Sequence, residues 1–400
     1  MPNANPQSLR TRKPARAPLA LALAAALGVA NAATYTVTSA GDAGTGTCAV
    51  NACTLRDAVA AANANAGADT ITFASSLSGD TITLDIANKG HIAITDSLTI
   101  QGPGANLLVV SGGGVTSGGD GGIFYDKVYV GGNSLTLSGI TLSSGRTAGK
   151  GGALNFAYGH LTLNRVAIQD SYAQSFGGGF YKGSGTLNVN YSTISGNSAG
   201  NSGGGFSANY PTTSLINTTI SGNTANGSGG GFYARTTINV FNSTISGNTA
   251  NSIGGGAWIS KQNGYFTNSI IANNLAPSMS EIACTAQSNG ASSVAANYSL
   301  IKGSHACTGG GTFTGSPSNI LGQDPKLGPL AHYGGPTQTL ALLPGSPAID
   351  AGNNAACETT DQRGQGRPYN ATGKATAICD MGAFEVNFID LDRIFDNGFD

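Results

Sequence analysis

Charge is scarce in this sequence: Asp, Glu, Lys and Arg make up 10% of its 400 residues. Between Asp126 and Glu281 the only acid is Asp170. Glycoside hydrolysis by the common route needs two carboxylates flanking the scissile bond, and a calcium-assisted lyase needs several around the ion. The middle of the chain cannot supply either set. The four histidines are scattered, and none stands at a zinc-type spacing from a cysteine, so no metal and no cofactor is expected. Gly145–Gly151 hints at a phosphate loop, but it is short and no Ser or Thr follows its lysine. Asp390, Asp392 and Asp396 do not match a calcium loop. Past residue 32 no stretch approaches the ~20 apolar residues that span a bilayer, and no 3.6-residue pattern argues for helical repeats.

What is present begins with a leader. Arg10, Arg12, Lys13 and Arg16 precede an apolar run from Ala17 to Ala30 and the small-residue triplet Ala30-Asn31-Ala32. This is the layout of a secretory signal peptide cleaved after Ala32. Without those four basic residues the 19 Lys and Arg fall to 15 against 20 acids, a net charge of −5. Nucleic acid, which needs a basic face, is an unsuitable partner. Six cysteines behind a leader point to disulfides in an oxidising compartment, and neighbours in sequence are the economical pairs: Cys48–Cys53, Cys284–Cys307 and Cys357–Cys379. The expected location is extracellular or on the outer surface of a bacterium, with no transmembrane segment.

The decisive feature is a repeat. Glycine blocks open at Gly151, Gly177, Gly203, Gly229 and Gly254, in steps of 26, 26, 26 and 25. A second ladder runs Leu142, Ile168, Ile194, Ile220, Ile245 and Ile271. The interval from this ladder to the next glycine block is always nine residues, and the return interval is 17 except from Gly229 to Ile245, where it is 16. Two ladders registering one deletion report stacked coils. Short β-branched runs such as Thr237-Ile238-Asn239-Val240 read as strands. The expected fold is all-β: a right-handed parallel β-helix, a pectate-lyase-like solenoid, with a short N-terminal capping helix. Phe180, Phe206 and Phe232 should stack inside it, and Asn197, Asn223 and Asn248 should form an amide ladder at a turn. Thr54 as N-cap and Asp57 three residues on begin the capping helix, with Leu55, Ala58, Val59 and Ala62 on its apolar face. The chain then divides into a signal peptide (1–32), a cap with the first coils (33–90), regular coils (91–300), a Pro- and Gly-rich segment closing the C-terminal end (301–385) and a short tail (386–400), readable as a sorting signal or as a frayed terminus.

Residues Tyr35 to Phe73, centred on Cys53-Thr54-Leu55-Arg56-Asp57-Ala58, resemble the CSLREA domain, with Thr for Ser and Asp for Glu. Residues Leu327 to Glu385 resemble the choice-of-anchor Q domain through Gly334-Gly335-Pro336-Thr337, Leu343-Pro344-Gly345-Ser346-Pro347-Ala348-Ile349-Asp350-Ala351-Gly352, Asp361-Gln362-Arg363-Gly364 and Cys379-Asp380-Met381-Gly382-Ala383-Phe384-Glu385. The coils between are similar to the repeats of polymorphic outer-membrane proteins. The resemblance implies a secreted or surface β-helix and brings no established activity or catalytic residue. No autotransporter barrel and no anchoring hydrophobic helix are expected after the coils.

One row of residues invites a ligand. Beside the phenylalanine stack stand Asn155, Tyr181, Ser207, Tyr233 and Trp258, which strand alternation turns outward. Lys182, Arg235 and Lys261 lie within three residues of that row. Tyr181, Tyr233, Trp258, Lys182, Arg235 and Lys261 are therefore the candidate ligand-binding residues, suited to sugar rings or acidic polymers. The plain alternative is a few surface aromatics covering a turn. Two function classes follow: a non-catalytic surface or secreted protein with an adhesive, structural or glycan-interaction role, and a polysaccharide lyase or glycoside hydrolase on the same scaffold. The carboxylate count weighs against the second.

Overall fold

The computed structural model describes residue 1 and residues 31–126, 132–286, 292–370 and 376–387. Residues 2–30 of the expected leader and 388–400 of the expected tail lie outside the described residues. The rest is a parallel β-helix. Ten strands stack in one sheet from Thr81–Thr83 to Ile320–Leu321. Two further faces merge into a single 18-stranded sheet, because Phe180–Asn190 and Phe206–Ile216 run unbroken around the corner between them. A fourth, six-stranded column of two-residue strands completes the coil. Stacked strands continue through Leu321, but past Ile270 the coil step is irregular: Ile270 pairs Leu300, Cys284 pairs Cys307 and Leu300 pairs Ile320.

Coil pairs with coil at the spacing read from the sequence. Phe180 pairs Phe206, and Ile194 pairs Ile220, each 26 residues apart. The missing residue is absorbed at one corner: Ala208 pairs Ala234 at a step of 26, but Thr213 pairs Ile238 at 25. Phe180, Phe206 and Phe232 are fully buried and stack at 4.8 and 5.1 Å between ring centroids, close to the strand spacing.

The glycine blocks serve two purposes. Gly177, Gly203 and Gly229 hold φ of 70–75°, a left-handed conformation that glycine adopts without a Cβ penalty. The glycine after each is excluded from substitution for another reason: a Cβ on Gly178 or Gly204 would overlap the carbonyl oxygen of the same turn in the next coil.

The asparagine ladder is present and longer than expected. Asn197 Nδ2 donates to Asn223 Oδ1 at 3.0 Å, Asn223 to Asn248 at 2.9 Å and Asn248 to Asn274 at 2.9 Å. Each amide also donates to a carbonyl of the coil before it, as Asn223 does to Ile194 O at 2.9 Å. The fully buried row ends on Glu281, whose carboxylate accepts from Asn274; burial pushes that carboxyl up from its ordinary value, against its hydrogen bonds. A second ladder, not anticipated, runs through Ser192, Thr218, Ser243, Ser269 and Ser299. Each hydroxyl donates to the carbonyl two residues before it, as Ser243 does to Phe241 at 2.7 Å. Most also accept from the backbone of the preceding coil, as Ser243 does from Thr218 N at 3.1 Å.

The helix Leu55–Ala64 has the expected capping box between Thr54 and Asp57 and buries Leu55, Ala58, Val59 and Ala62 at the N-terminal end. Arg56 pairs with Asp42 at 2.8 Å and donates to Gly90 O. All three expected disulfides form: Cys48–Cys53, Cys284–Cys307 and Cys357–Cys379. Cys284 and Cys307 are register partners in adjacent coils.

The C-terminal segment departs from expectation. It does not close the end of the solenoid but folds back along the ten-stranded face. An antiparallel pair, Leu327–Ala331 with Thr339–Leu342, starts this return. Thr219 Oγ1 then meets Thr339 Oγ1 at 2.9 Å and Gln362 Oε1 at 2.6 Å, Asn217 donates to Thr360 O, and Thr244 Oγ1 accepts from Ala383 N at 3.0 Å. Threonines on the outer side of the Thr-Ile-Ser strands thus trade water for these partners. Residues 302–324 of the last coil include none that is buried.

Replacing a mid-ladder asparagine, Asn223→Ala, leaves the Ile194 carbonyl and the Asn248 amide oxygen each short of a donor. Urea unfolding should register a loss of about 2–4 kcal/mol; a loss below ~0.5 kcal/mol would show the ladder to be incidental.

Candidate functional site

Alternation along the first face fixes which side chains face out. Phe180 points inward, Tyr181 outward and Lys182 inward again. Asn155, Tyr181, Ser207, Tyr233 and Trp258 are register partners in five successive coils, as expected. They do not form an open aromatic face. Tyr233 stacks on Trp258 at 4.3 Å between centroids and 18° between planes, and Phe176 approaches its other side at 6.3 Å. Tyr181 and Tyr233 are each 7% exposed. Much of the aromatic surface is thus used within the protein.

Lys182 is a correction. It belongs to the interior column that includes Phe156, Ala208 and Ala234 and is fully buried. Its ammonium donates to Ser184 O and lies 5.2 Å from the centre of the Phe156 ring. Burial lowers its pKa to about 8, against the attraction of Asp126. Sequence proximity to the outward row suggested a surface cation, but position parity decides the side. Arg235, two residues after Tyr233, has the outward parity. Lys261 occupies a turn with φ of 70° and lies outside the groove described next.

A groove of about 410 Å³ runs beside the outward row. One wall is Ser207, Asn209, Tyr233, Arg235 and Trp258; the other comes from five successive turns, at Lys150, Phe176, Ser202, Ser228 and Ser252. It therefore follows the helix axis over about 19 Å, four coil steps. Its cause is legible in two columns of residues. The position before each glycine block reads Lys150, Phe176, Ser202, Ser228 and Ile253, and the outward row reads Tyr181, Ser207, Tyr233. Where both columns fall to serine the surface is hollow. Comparing side-chain volume down these columns would have located the groove from sequence.

The groove carries polar and cationic groups on a largely apolar lining. Asn209 Nδ2 donates to the Tyr181 hydroxyl at 2.9 Å, and Lys150 Nζ sits 4.9 Å from the Tyr181 ring centre. The Arg235 guanidinium lies over Tyr210 at 5.4 Å. Ser207 Oγ and Arg235 Nε are buried and have no hydrogen-bond partner among the described residues, although buried polar atoms are normally paired. Burial pushes the Tyr233 phenol up from its ordinary value, against the opposing pull of Arg235. No Asp or Glu lines the groove; Asp120, at the Lys150 end, accepts from the Lys150 backbone amide at 2.7 Å.

The acids outside the regular coils are committed elsewhere. Asp361, Asp380 and Glu385 are at most 1% exposed. Asp361 pairs with Arg363 at 2.8 Å and Glu385 with Arg367 at 3.3 Å. Asp380 accepts from the backbone amides of Asp350 and Val386, each at 2.7 Å. Burial and the neighbouring Glu385 push the Asp380 carboxyl well up. Their hydrogen bonds and ion pairs hold the C-terminal segment together. Among the described residues no cluster of His, Cys, Asp or Glu could hold a metal ion, and no helix is long and apolar enough to cross a membrane.

Fold and groove together define a parallel β-helix protein with an axial surface groove. No model of a known protein family matches the chain, and no curated protein matches it. Among solved structures it is similar to the crystal structure of pectate lyase Pel9A, with a TM-score of 0.44 and 15% sequence identity over 90% of this chain and 98% of that one.

Lys182 yields a pH signature. A lysine with a lowered folded pKa costs stability below about pH 8, and the cost disappears as pH rises past the unfolded value near 10.5. The stability of Lys182→Met relative to the native chain should therefore fall by about 3 kcal/mol between pH 7 and pH 10.5, measured by denaturant unfolding at each pH. A flat difference would mean the ammonium is solvated.

Proposed function

We propose that this protein is a secreted or cell-surface β-helix that binds an extended glycan along its axial groove without cleaving it. The observation that carries the reading is the groove itself: an open channel across five turns, lined by hydroxyls, amides, aromatic side chains and two cations. A polymer laid along the axis can touch several coils at once. The coil step of about 4.8 Å is close to the length of one sugar unit in an extended chain, so binding can extend over several units.

The alternative is a lyase or hydrolase. It is disfavoured because the groove has no carboxylate and the buried acids of the C-terminal segment face backbone amides and arginines. Three disulfides and the leader-like N-terminus support export.

Trp258 is the only tryptophan in the chain and lines the groove, so its fluorescence reports occupancy. A panel of neutral, carboxylated and sulfated polysaccharides should contain at least one that shifts this signal and emerges from size-exclusion chromatography at its original length. Ser207→Tyr, which fills the hollow between Tyr181 and Tyr233, should abolish the shift while leaving the melting temperature within a few degrees. A shortened polymer would establish an enzyme, and binding undiminished in Ser207→Tyr would remove the groove from consideration.

A further inference from the structure

The chemistry of the groove narrows its ligand, on the premise that it binds a glycan. We infer that the ligand is a polyanionic glycan, carboxylated or sulfated, recognised by Arg235 and Lys150 through charge-assisted hydrogen bonds.

Three observations lead there. Trp258 stacks on one face of Tyr233, and the Lys150 ammonium sits over the Tyr181 ring, so a cation already stands among the aromatic groups of the groove. Next, both ionic groups lining the groove are cations, in a chain whose acids outnumber its basic residues. Finally, Arg235 is held for use. It sits at the corner where the coil is one residue short, its backbone amide is fixed to Ala208 O at 2.8 Å, and its guanidinium rests on Tyr210. Its Nε is shut off from solvent, so the Nη groups, which make no hydrogen bond among the described residues, are what a ligand in the groove would meet. A guanidinium placed in this way suits a planar or tetrahedral oxyanion.

The occupant is thus a chain bearing anionic groups at intervals, with one group at Arg235 and another towards Lys150, whose charged ends lean over Tyr210 and Tyr181 in adjacent coils. Carboxylate and sulfate share the chemistry, and the probe panel separates them.

The test titrates the mature protein with polygalacturonate, its fully methyl-esterified form, a sulfated glycosaminoglycan and a neutral xylan, following Trp258 fluorescence at several salt concentrations. The expected result is binding of the carboxylated or the sulfated polymer with an affinity that falls steeply with salt, and none of the esterified or neutral chains. Arg235→Gln should weaken binding by about tenfold or more. Arg235→Lys should recover part of the loss, which a merely structural arginine would not do. Equal binding of charged and uncharged chains, insensitive to salt and to Arg235→Gln, would overturn the anionic assignment and leave the glycan groove standing. Failure of every polymer to bind would overturn both.

Discussion

Register between coils is the constraint on which the rest depends. Each coil must repeat its neighbour at one strand spacing, so every position becomes a column and each column is answerable to a single kind of contact. Buried aromatic rings stack, amides hydrogen-bond to amides, hydroxyls cap backbone groups, and glycines admit carbonyls from the turn beside them. A side chain that breaks its column has to be accommodated at once by the coils on either side. The missing residue accordingly falls at the corner between Ala234 and Ile238, where the strand is broken, and not inside a strand.

The same rule decides how much was readable from the sequence. Repeat length, the phenylalanine stack, the asparagine ladder, the capping helix and the three disulfides follow from spacing or local chemistry, and the structure agrees. Lys182 was misjudged because nearness in sequence was used where alternation was needed: one residue from Tyr181 is the opposite side of the strand. The groove was missed because it is made by loss of volume in two columns, not by a motif. The return of the C-terminal segment along the flank was not legible at all. It has no repeat, and its partners, such as Thr219 with Gln362, are 143 residues apart in sequence.

The scarcity of acids takes on meaning in this setting. Carboxylates appear where they cap amides: Asp57 at the helix start, Glu281 at the end of the asparagine row, and Asp361, Asp380 and Glu385 in the flank segment. The stacked coils themselves present hydroxyls and amides, whose hydrogen-bonding capacity does not change with pH near neutrality. Such a surface keeps its hydrogen-bonding character as pH varies around neutrality.

The flank segment also determines how the molecule carries load. Residues 383–386 dock beside Thr244 and Ile270, on coils inside the stack and not at its last turn. Tension applied there is shared among many contacts with several coils and acts on them in shear. A pull at the terminal coil would instead peel strands away one at a time, the weaker geometry. A solenoid clasped along its side in this way resists unravelling even though its last coil is open.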